Sequence, residues 1–195
     1  ETRDRKKAEK ESDRLNRFPA FLRKGFLHIV KHNADALPNK ASAPAHWKGD
    51  FMCSICGILG SGSSDNIETL EKMNETMRNR GHDQAGVYIR DNIAFAHNRL
   101  SIIDVQHGSQ PMSRTRNGYT YTIIYNGELY NTPELTELLI KQSIRPTTRC
   151  DTEVVLDMYI LYGTKCASYL NGIFAFAVYD ERRKMVYFAR DRFGI

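Results

Sequence analysis

Apolar positions recur with two different periods from residue 52 onward, and turn signals separate the blocks. In "NIETLEKMNETMRNR" (66–80), Ile67, Leu70, Met73 and Met77 share one helical face and Gly81 follows. In "TPELTELLIKQ" (132–142), Thr132 is the expected N-cap, Pro133 sits in the first turn and Glu134 lies near the positive helix end. "DTEVVLDMYILYG" (151–163) reads as a third helix closed by Gly163. Between these lie strand-like stretches: "MCSICGILG", "AGVYIR", "IAFAHNRLSIID", "YTYTIIYNG", "GIFAFAVYD" and "KMVYFAR". The last two are joined by "ERR", a hairpin-sized gap. The pattern predicts an α+β domain with largely antiparallel sheets flanked by helices. No internal repeat is visible.

The first 51 residues have a different texture. Residues 1–17 are almost wholly polar and read as a solvated helix or disorder. "KHNADALPNKASAPAHWKGD" (31–50) is rich in small residues and proline and reads as linker. The charge follows the same division. Residues 1–51 carry 12 Lys+Arg against 7 Asp+Glu, and residues 52–195 carry 16 of each. The excess of +5 therefore belongs to the leader, and it gives no reason to assign nucleic acid to the body. No apolar run reaches the roughly 18 residues that span a bilayer. The most apolar part of the leader, "FPAFLRKGFLHIV", is interrupted by Arg23 and Lys24 and is no convincing signal peptide. The expected organisation is a basic leader, disordered or helical, over 1–51 and one domain over 52–195.

Four cysteines, Cys53, Cys56, Cys150 and Cys166, are too few for a disulfide framework, so reduced cytosolic thiols are expected. In Cys53-x-x-Cys56, strand residues three apart face opposite ways and chelate one metal poorly. No second CxxC or His pair completes a zinc site. No helix begins here, as a redox CxxC requires. Core packing is one reading. Another depends on Met52. If translation starts there, Met removal leaves Cys53 as the first residue, and its α-amino group, with a reference pKa near ~8, becomes a base for its own thiol.

Other polar residues sit where apolar ones would be expected. Asn126-Gly127 ends an apolar strand. Such a pair is commonly a turn, but the Asn amide and the Gly N–H can also form a two-donor oxyanion hole. Glu128 adds a carboxylate beside it. Arg99 lies inside an apolar strand, where a charge must meet an acid or bind an anionic ligand. Asp151 begins a helix, as an N-cap or as a ligand-binding carboxylate.

Together the segments "MCSICGIL", "RGHDQAG", "NRLSIID…GSQPM", "YNGELYN", "CDTEVVL" and "LNGIFAFAVYD…ARDRFGI" resemble, in order and spacing, the glutaminase domain of asparagine synthetases. These are class II glutamine amidotransferases of the N-terminal nucleophile type. The resemblance covers residues 52–195. It implies a four-layer αββα fold with two antiparallel sheets between helical layers. It implies that Cys53 attacks the side-chain amide of glutamine, forms a thioester and releases ammonia, then glutamate. It also implies an oxyanion hole at Asn126 and Gly127. Arg99 would hold the α-carboxylate of glutamine, Glu128 and Asp151 its α-amino group, and backbone groups of Leu100, Ser101, Ile102 and Ile103 would line the pocket. Cys53, directly after Met, fits the family's spacing better than Cys56. His82 departs from the pattern, where Pro is usual, as does Cys150, where Ser is common.

The chain stops at "DRFGI", where relatives continue into an ATP-using synthetase domain, and no "SGG(I/L)DS"-type ATP loop appears. The expectation is a cytoplasmic fragment that needs no cofactor of its own. ATP and Mg²⁺ would serve the absent synthetase domain, which would amidate aspartate with ammonia passed through an internal passage. A homodimer is a family expectation. The leader reads as a removed propeptide, a retained extension that blocks catalysis, or a stretch outside the mature protein. The third is preferred, because "WKGDFM" can be encoded with AAGGAG, a bacterial ribosome-binding sequence, shortly before ATG. Two other functions remain open: a non-hydrolysing regulatory homologue, and an amide-forming relative acting on another carboxylate.

Overall fold

A computed structural model describes residues 26–29, 53–60, 67–100 and 108–194. Among the described residues, eight strands form two four-stranded sheets. The first has the order β1-β2-β4-β3, from β1 (Phe26–Ile29), β2 (Ser54–Leu59), β3 (Gln84–Arg90) and β4 (Ile93–Arg99). The second has the order β5-β6-β7-β8, from β5 (Met112–Arg116), β6 (Tyr119–Leu129), β7 (Gly172–Asp180) and β8 (Met185–Arg190). Every pairing is antiparallel.

Strand alternation assigns each residue to a face. Ile55, Ile93 and Phe95 of the first sheet meet Ile124, Ala175, Ala177 and Tyr179 of the second. The opposite face of the first sheet, with Cys56, Ile58, Ala94 and Ala96, packs on Leu70 and Met77, at and just beyond α1 (Ile67–Thr76). The outer face of the second sheet carries Ile123, Tyr125, Phe174 and Phe176. It is covered by Leu135 and Leu139 of α2 (Thr132–Lys141) and by Val155 and Met158 of α3 (Asp151–Tyr162). Eight consecutive residues of α3, Thr152–Tyr159, are buried, so its polar pair Glu153 and Asp157 faces β5 rather than solvent.

Several boundaries differ from the sequence pattern. The first helix stops at Thr76, and residues 77–80 are turn. Thr132 is inside α2 rather than capping it, and donates its hydroxyl to the Leu129 carbonyl at 3.1 Å. The residue before it, Asn131, is fastened to the turn before β7. It donates to the Tyr169 carbonyl and accepts from Asn171 N. Strand β5, "MSRTR", has no apolar alternation and was not anticipated. It is held by a turn with φ of 53° at Asn117 and 78° at Gly118, the two positive values of a type I′ hairpin. Phe26–Ile29 of the leader forms β1, paired with Ile58 through Ile55 of β2. Helix or disorder therefore does not describe these four residues. The rest of the leader lies outside the described residues.

Away from the sheet ends that carry Cys53 and Arg99, two hairpin tips clasp the sheets together. Asp91 accepts from Tyr179 Oη at 2.6 Å and from Lys184 Nζ at 2.8 Å, and Arg90 pairs with Glu181 at 2.5 Å. A second charged cluster joins α3 to β5, where Arg114 pairs with Glu153 and lies 3.0 Å from Asp157 Oδ2. Glu153 also accepts from the main chain and hydroxyls of Thr147 and Thr148, which outweigh its burial and lower its pKa. Asp157 Oδ2 is buried with no well-aligned hydrogen bond among the described residues. Burial, opposed by Arg114 and reinforced by Glu153, pushes Asp157 up to about 6. Between about pH 4 and 6 the folded state therefore holds a proton that the unfolded state has released. This residue's contribution to stability falls as pH rises through that window and is level above it. Asp157→Asn is expected to stabilise the fold at pH 7 by about 1–3 kcal/mol and to flatten this part of the profile. Urea unfolding from pH 4 to 7 tests it, and a less stable variant at pH 7 would contradict it.

Candidate active site

The inward face of the first sheet ends in two residues of opposite chemistry. Cys53 immediately precedes β2 and lies two positions before inward-facing Ile55. The pairing of Ser54 with Asn98 brings Cys53 opposite Arg99, the last residue of β4. Cys53 Sγ accepts from Leu100 N at 3.4 Å and is 3.7 Å from the Leu100 carbonyl. Burial raises the Cys53 pKa, the Leu100 amide and Arg99 oppose that rise, and Asp151 adds to it. The thiol is therefore a protonated group beside cations, and it needs a base before it can attack. Cys56 sits on the other face against α1. It is 1% exposed, and burial pushes its thiol up to about 12. The two cysteines of the motif thus belong to different layers.

Arg99 is 4% exposed, and its Nη1 lies 3.4 Å from Gln84 Oε1. Gln84 is in turn bonded to Ser109, whose hydroxyl is 3.1 Å from its Nε2. Gly81 allows the Arg80 turn to lie against β4, because a Cβ there would be 2.6 Å from the Asn98 carbonyl. Arg80 is a second cation near Cys53. Burial lowers its pKa and the thiol's charge opposes that change. Arg80 Nε is buried without a hydrogen-bond partner among the described residues. His97, two residues before Arg99, is fully buried and held neutral by burial, with a pKa of about 3.

Across the sandwich, Asn126 and Glu128 share the inward face of β6 by alternation with Ile124. Asn126 is 3% exposed, whereas Glu128 is exposed. Gly127 pairs with Phe174 of β7, and a Cβ on it would be 2.3 Å from the Ile173 carbonyl oxygen. Phe174 is pinned from the other side, where Asp191 of "RDRFG" accepts from its N–H at 3.1 Å. Asp151 is the first residue of α3, one position past the N-cap Cys150. Its Oδ2 accepts from Tyr125 Oη at 3.0 Å and Leu129 N at 3.3 Å. Burial raises its pKa, and these hydrogen bonds oppose the rise.

Cys53, Arg99, Leu100 and Asp151 are thus brought together, with Asn126, Gly127 and Glu128 on the strand that Asp151 grips. Ser101, Ile102 and Ile103 lie outside the described residues. Arg80, Gln84, Gln110 and Tyr125 were not singled out as functional residues from sequence. Arg80 and Gln84 both lie in "RGHDQAG", and only their placement beside Cys53 and Arg99 distinguishes them. Among the described residues, no group of three or more His, Cys, Asp or Glu side chains is placed to hold a metal ion, and no helix is long and apolar enough to cross a membrane.

Residues 52–195 match the family described as the glutamine amidotransferase domain, and the chain belongs to that family. It is a class II glutamine amidotransferase domain whose relatives include asparagine synthetases. Asparagine synthetase [glutamine-hydrolyzing] 3 of Bacillus subtilis is 45% identical over 146 residues, 74% of this chain and 24% of that protein. Asparagine synthetase [glutamine-hydrolyzing] 1 of the same organism is 39% identical, covering 74% and 23%. Asparagine synthetase B of Escherichia coli is 37% identical, covering 74% and 26%. The chain spans about a quarter of the length of these relatives. A glutamine phosphoribosylpyrophosphate amidotransferase of B. subtilis aligns in structure with a TM-score of 0.41 at 23% identity, over 48% of this chain and 22% of that one.

Proposed function

We propose that this chain is the glutaminase portion of a glutamine-hydrolysing asparagine synthetase, built on the four-layer N-terminal-nucleophile architecture. The observation that carries the reading is the placement of Cys53 beside Arg99 and Asp151 at one end of the sandwich, while Cys56 faces the opposite layer. A zwitterionic amino acid needs a cation and a carboxylate near the nucleophile, and Arg99 and Asp151, whose charges both act on the Cys53 thiol, supply them.

Glutamine binds with its α-carboxylate on Arg99 and its α-ammonium between Asp151 and Glu128. Main-chain groups from Leu100 through Ser101, Ile102 and Ile103 line the pocket. Once Cys53 is the first residue, its free amine takes the thiol proton and the sulfur attacks the side-chain amide carbon. The oxyanion receives the Asn126 amide and the Gly127 N–H. The amine returns the proton to the leaving nitrogen, so ammonia departs and a thioester remains. Water then attacks the thioester, glutamate leaves and the thiol is restored. In the whole protein the ammonia passes to a cytoplasmic synthetase domain that uses ATP and Mg²⁺ to amidate aspartate. A homodimer is part of this proposal.

A pro-form reading draws on a different observation. β1 of the leader runs along β2 as far as Ile55, two residues from Cys53, and a nitrogen bound to Met52 is an amide with no basicity. The two readings separate in one assay. Glutamine-dependent release of glutamate and ammonia in equal amounts is expected from a chain whose first residue is Cys53, and not from one that retains residues 1–51. Equal hydrolysis by both chains would remove the amine from the mechanism.

A further inference from the structure

The "GSQP" stretch ties the two halves of the site together without touching either reacting group. The register that pairs Met112 with Ile123 would place residue 110 opposite Tyr125, but β5 begins only at Met112. The Gln110 side chain takes over the missing rung. Its Oε1 accepts from Tyr125 N at 2.6 Å, and its Nε2 donates to Thr152 Oγ1 at 3.2 Å. A main-chain N–H can only donate, so the orientation of the amide is set. Gln110 is 8% exposed and both its partners are buried. Gly86 of β3 lies against it so closely that a Cβ there would be 1.9 Å from the Gln110 carbonyl oxygen.

Each bond ends one residue from a proposed site group. Tyr125 precedes Asn126-Gly127, and its hydroxyl also donates to Asp151. Thr152 follows Asp151. The preceding residue, Ser109, reaches Arg99 through Gln84.

We infer that Gln110 is a positioning residue of the glutamine site, setting the oxyanion strand β6 against the start of α3 that presents Asp151. The inference rests on the glutaminase reading. It acts on geometry: without the amide, β6 and α3 lose their shared spacer, and both recognition and attack suffer.

The test uses the protein expressed from its own gene, with its N-terminus checked by intact mass. Labelling of Cys53 by an electrophilic glutamine analogue is compared with labelling by iodoacetamide, which needs only the thiol. Gln110→Met is expected to slow analogue labelling by about 10–100-fold, through both a weaker saturation constant and a lower limiting rate. Iodoacetamide labelling should stay within about twofold, because Leu100 and Arg99 still flank the thiol. Gln110→Glu, which keeps an acceptor for Tyr125 N–H, should recover part of the limiting rate. Thr152→Val removes the Gln110 Nε2 bond and the 3.3 Å Cys150 Sγ contact but leaves the Tyr125 rung in place, and should give a smaller loss that does not add to that of Gln110→Met. If Gln110→Met does not fold, Thr152→Val carries the test. Analogue labelling unchanged in the folded variants, or falling in step with iodoacetamide labelling, overturns the inference. A parent protein that the analogue fails to label strikes the glutaminase reading instead.

Discussion

Replacing Cys53 with alanine is expected to remove the proposed glutamine hydrolysis, with a loss on the order of 10⁴-fold or more, because the neighbouring thiol of Cys56 faces the opposite layer. The neighbouring thiol is the control. Cys56 faces α1 among Ile58, Leu70 and Ala94, away from Arg99 and Asp151. Its pKa of about 12 leaves it protonated at any working pH. Cys56→Ala should leave kcat/KM unchanged within about twofold and cost about 1 kcal/mol of stability, the size expected for one small buried group. The opposite pattern, with Cys56→Ala inactive and Cys53→Ala active, would move the nucleophile three residues along and leave the Arg99 pocket without a role. The two substitutions need a glutaminase assay and a urea titration each.

Gly127→Ala is expected to have the second-largest effect, and it acts on stability and rate together. The new methyl would lie 2.3 Å from the Ile173 carbonyl oxygen and 2.7 Å from the Phe174 Cα, both of them main-chain atoms. Neither can rotate away as a flexible side chain could. Asp191 holds the Phe174 N–H from the far side, which limits how far β7 can retreat. The strands must part, at about 2–3 kcal/mol for an overpacked site. The same displacement would move the Gly127 N–H and the Asn126 amide off the oxyanion position proposed for them, and losing one such donor costs about 10²–10³-fold in kcat. Urea unfolding and kcat separate the two consequences. A destabilised variant with normal kcat would mean that Gly127 is a packing glycine and the oxyanion donors lie elsewhere.

The legible parts of this fold were those in which one periodicity prevailed. Ile67, Leu70 and Met73 marked α1, and β6 and β7 announced themselves as apolar runs. β5 was missed because one of its faces is exposed, the other is only half-buried, and "MSRTR" has no apolar alternation. Its signal was the Asn117-Gly118 dipeptide, a hairpin turn between two stretches rather than a property of either. Asp151 looked like a cap because it opens a helix, yet its carboxylate also grips Tyr125 and Leu129 of β6. That choice depends on a contact 22 residues away or more and leaves no local trace. Arg99 and Asn126 stood out in the sequence as polar groups within or at the end of apolar strands and Cys53 and Asp151 as candidates with ordinary alternatives, and only the resemblance of the surrounding motifs joined them into one expected site. Gln110, Gln84 and Arg80 did not stand out, since a polar residue among polar neighbours carries no sign of which distant side chain the fold will bring to it.

The most direct measurement is the intact mass of the protein expressed from its own gene, before and after reaction with an electrophilic glutamine analogue. The glutaminase reading predicts a chain whose first residue is Cys53 and which gains one adduct, located on that residue. A chain that retains residues 1–51 and gains no adduct would contradict it, because the Cys53 nitrogen would still be an amide and the thiol would lack its base.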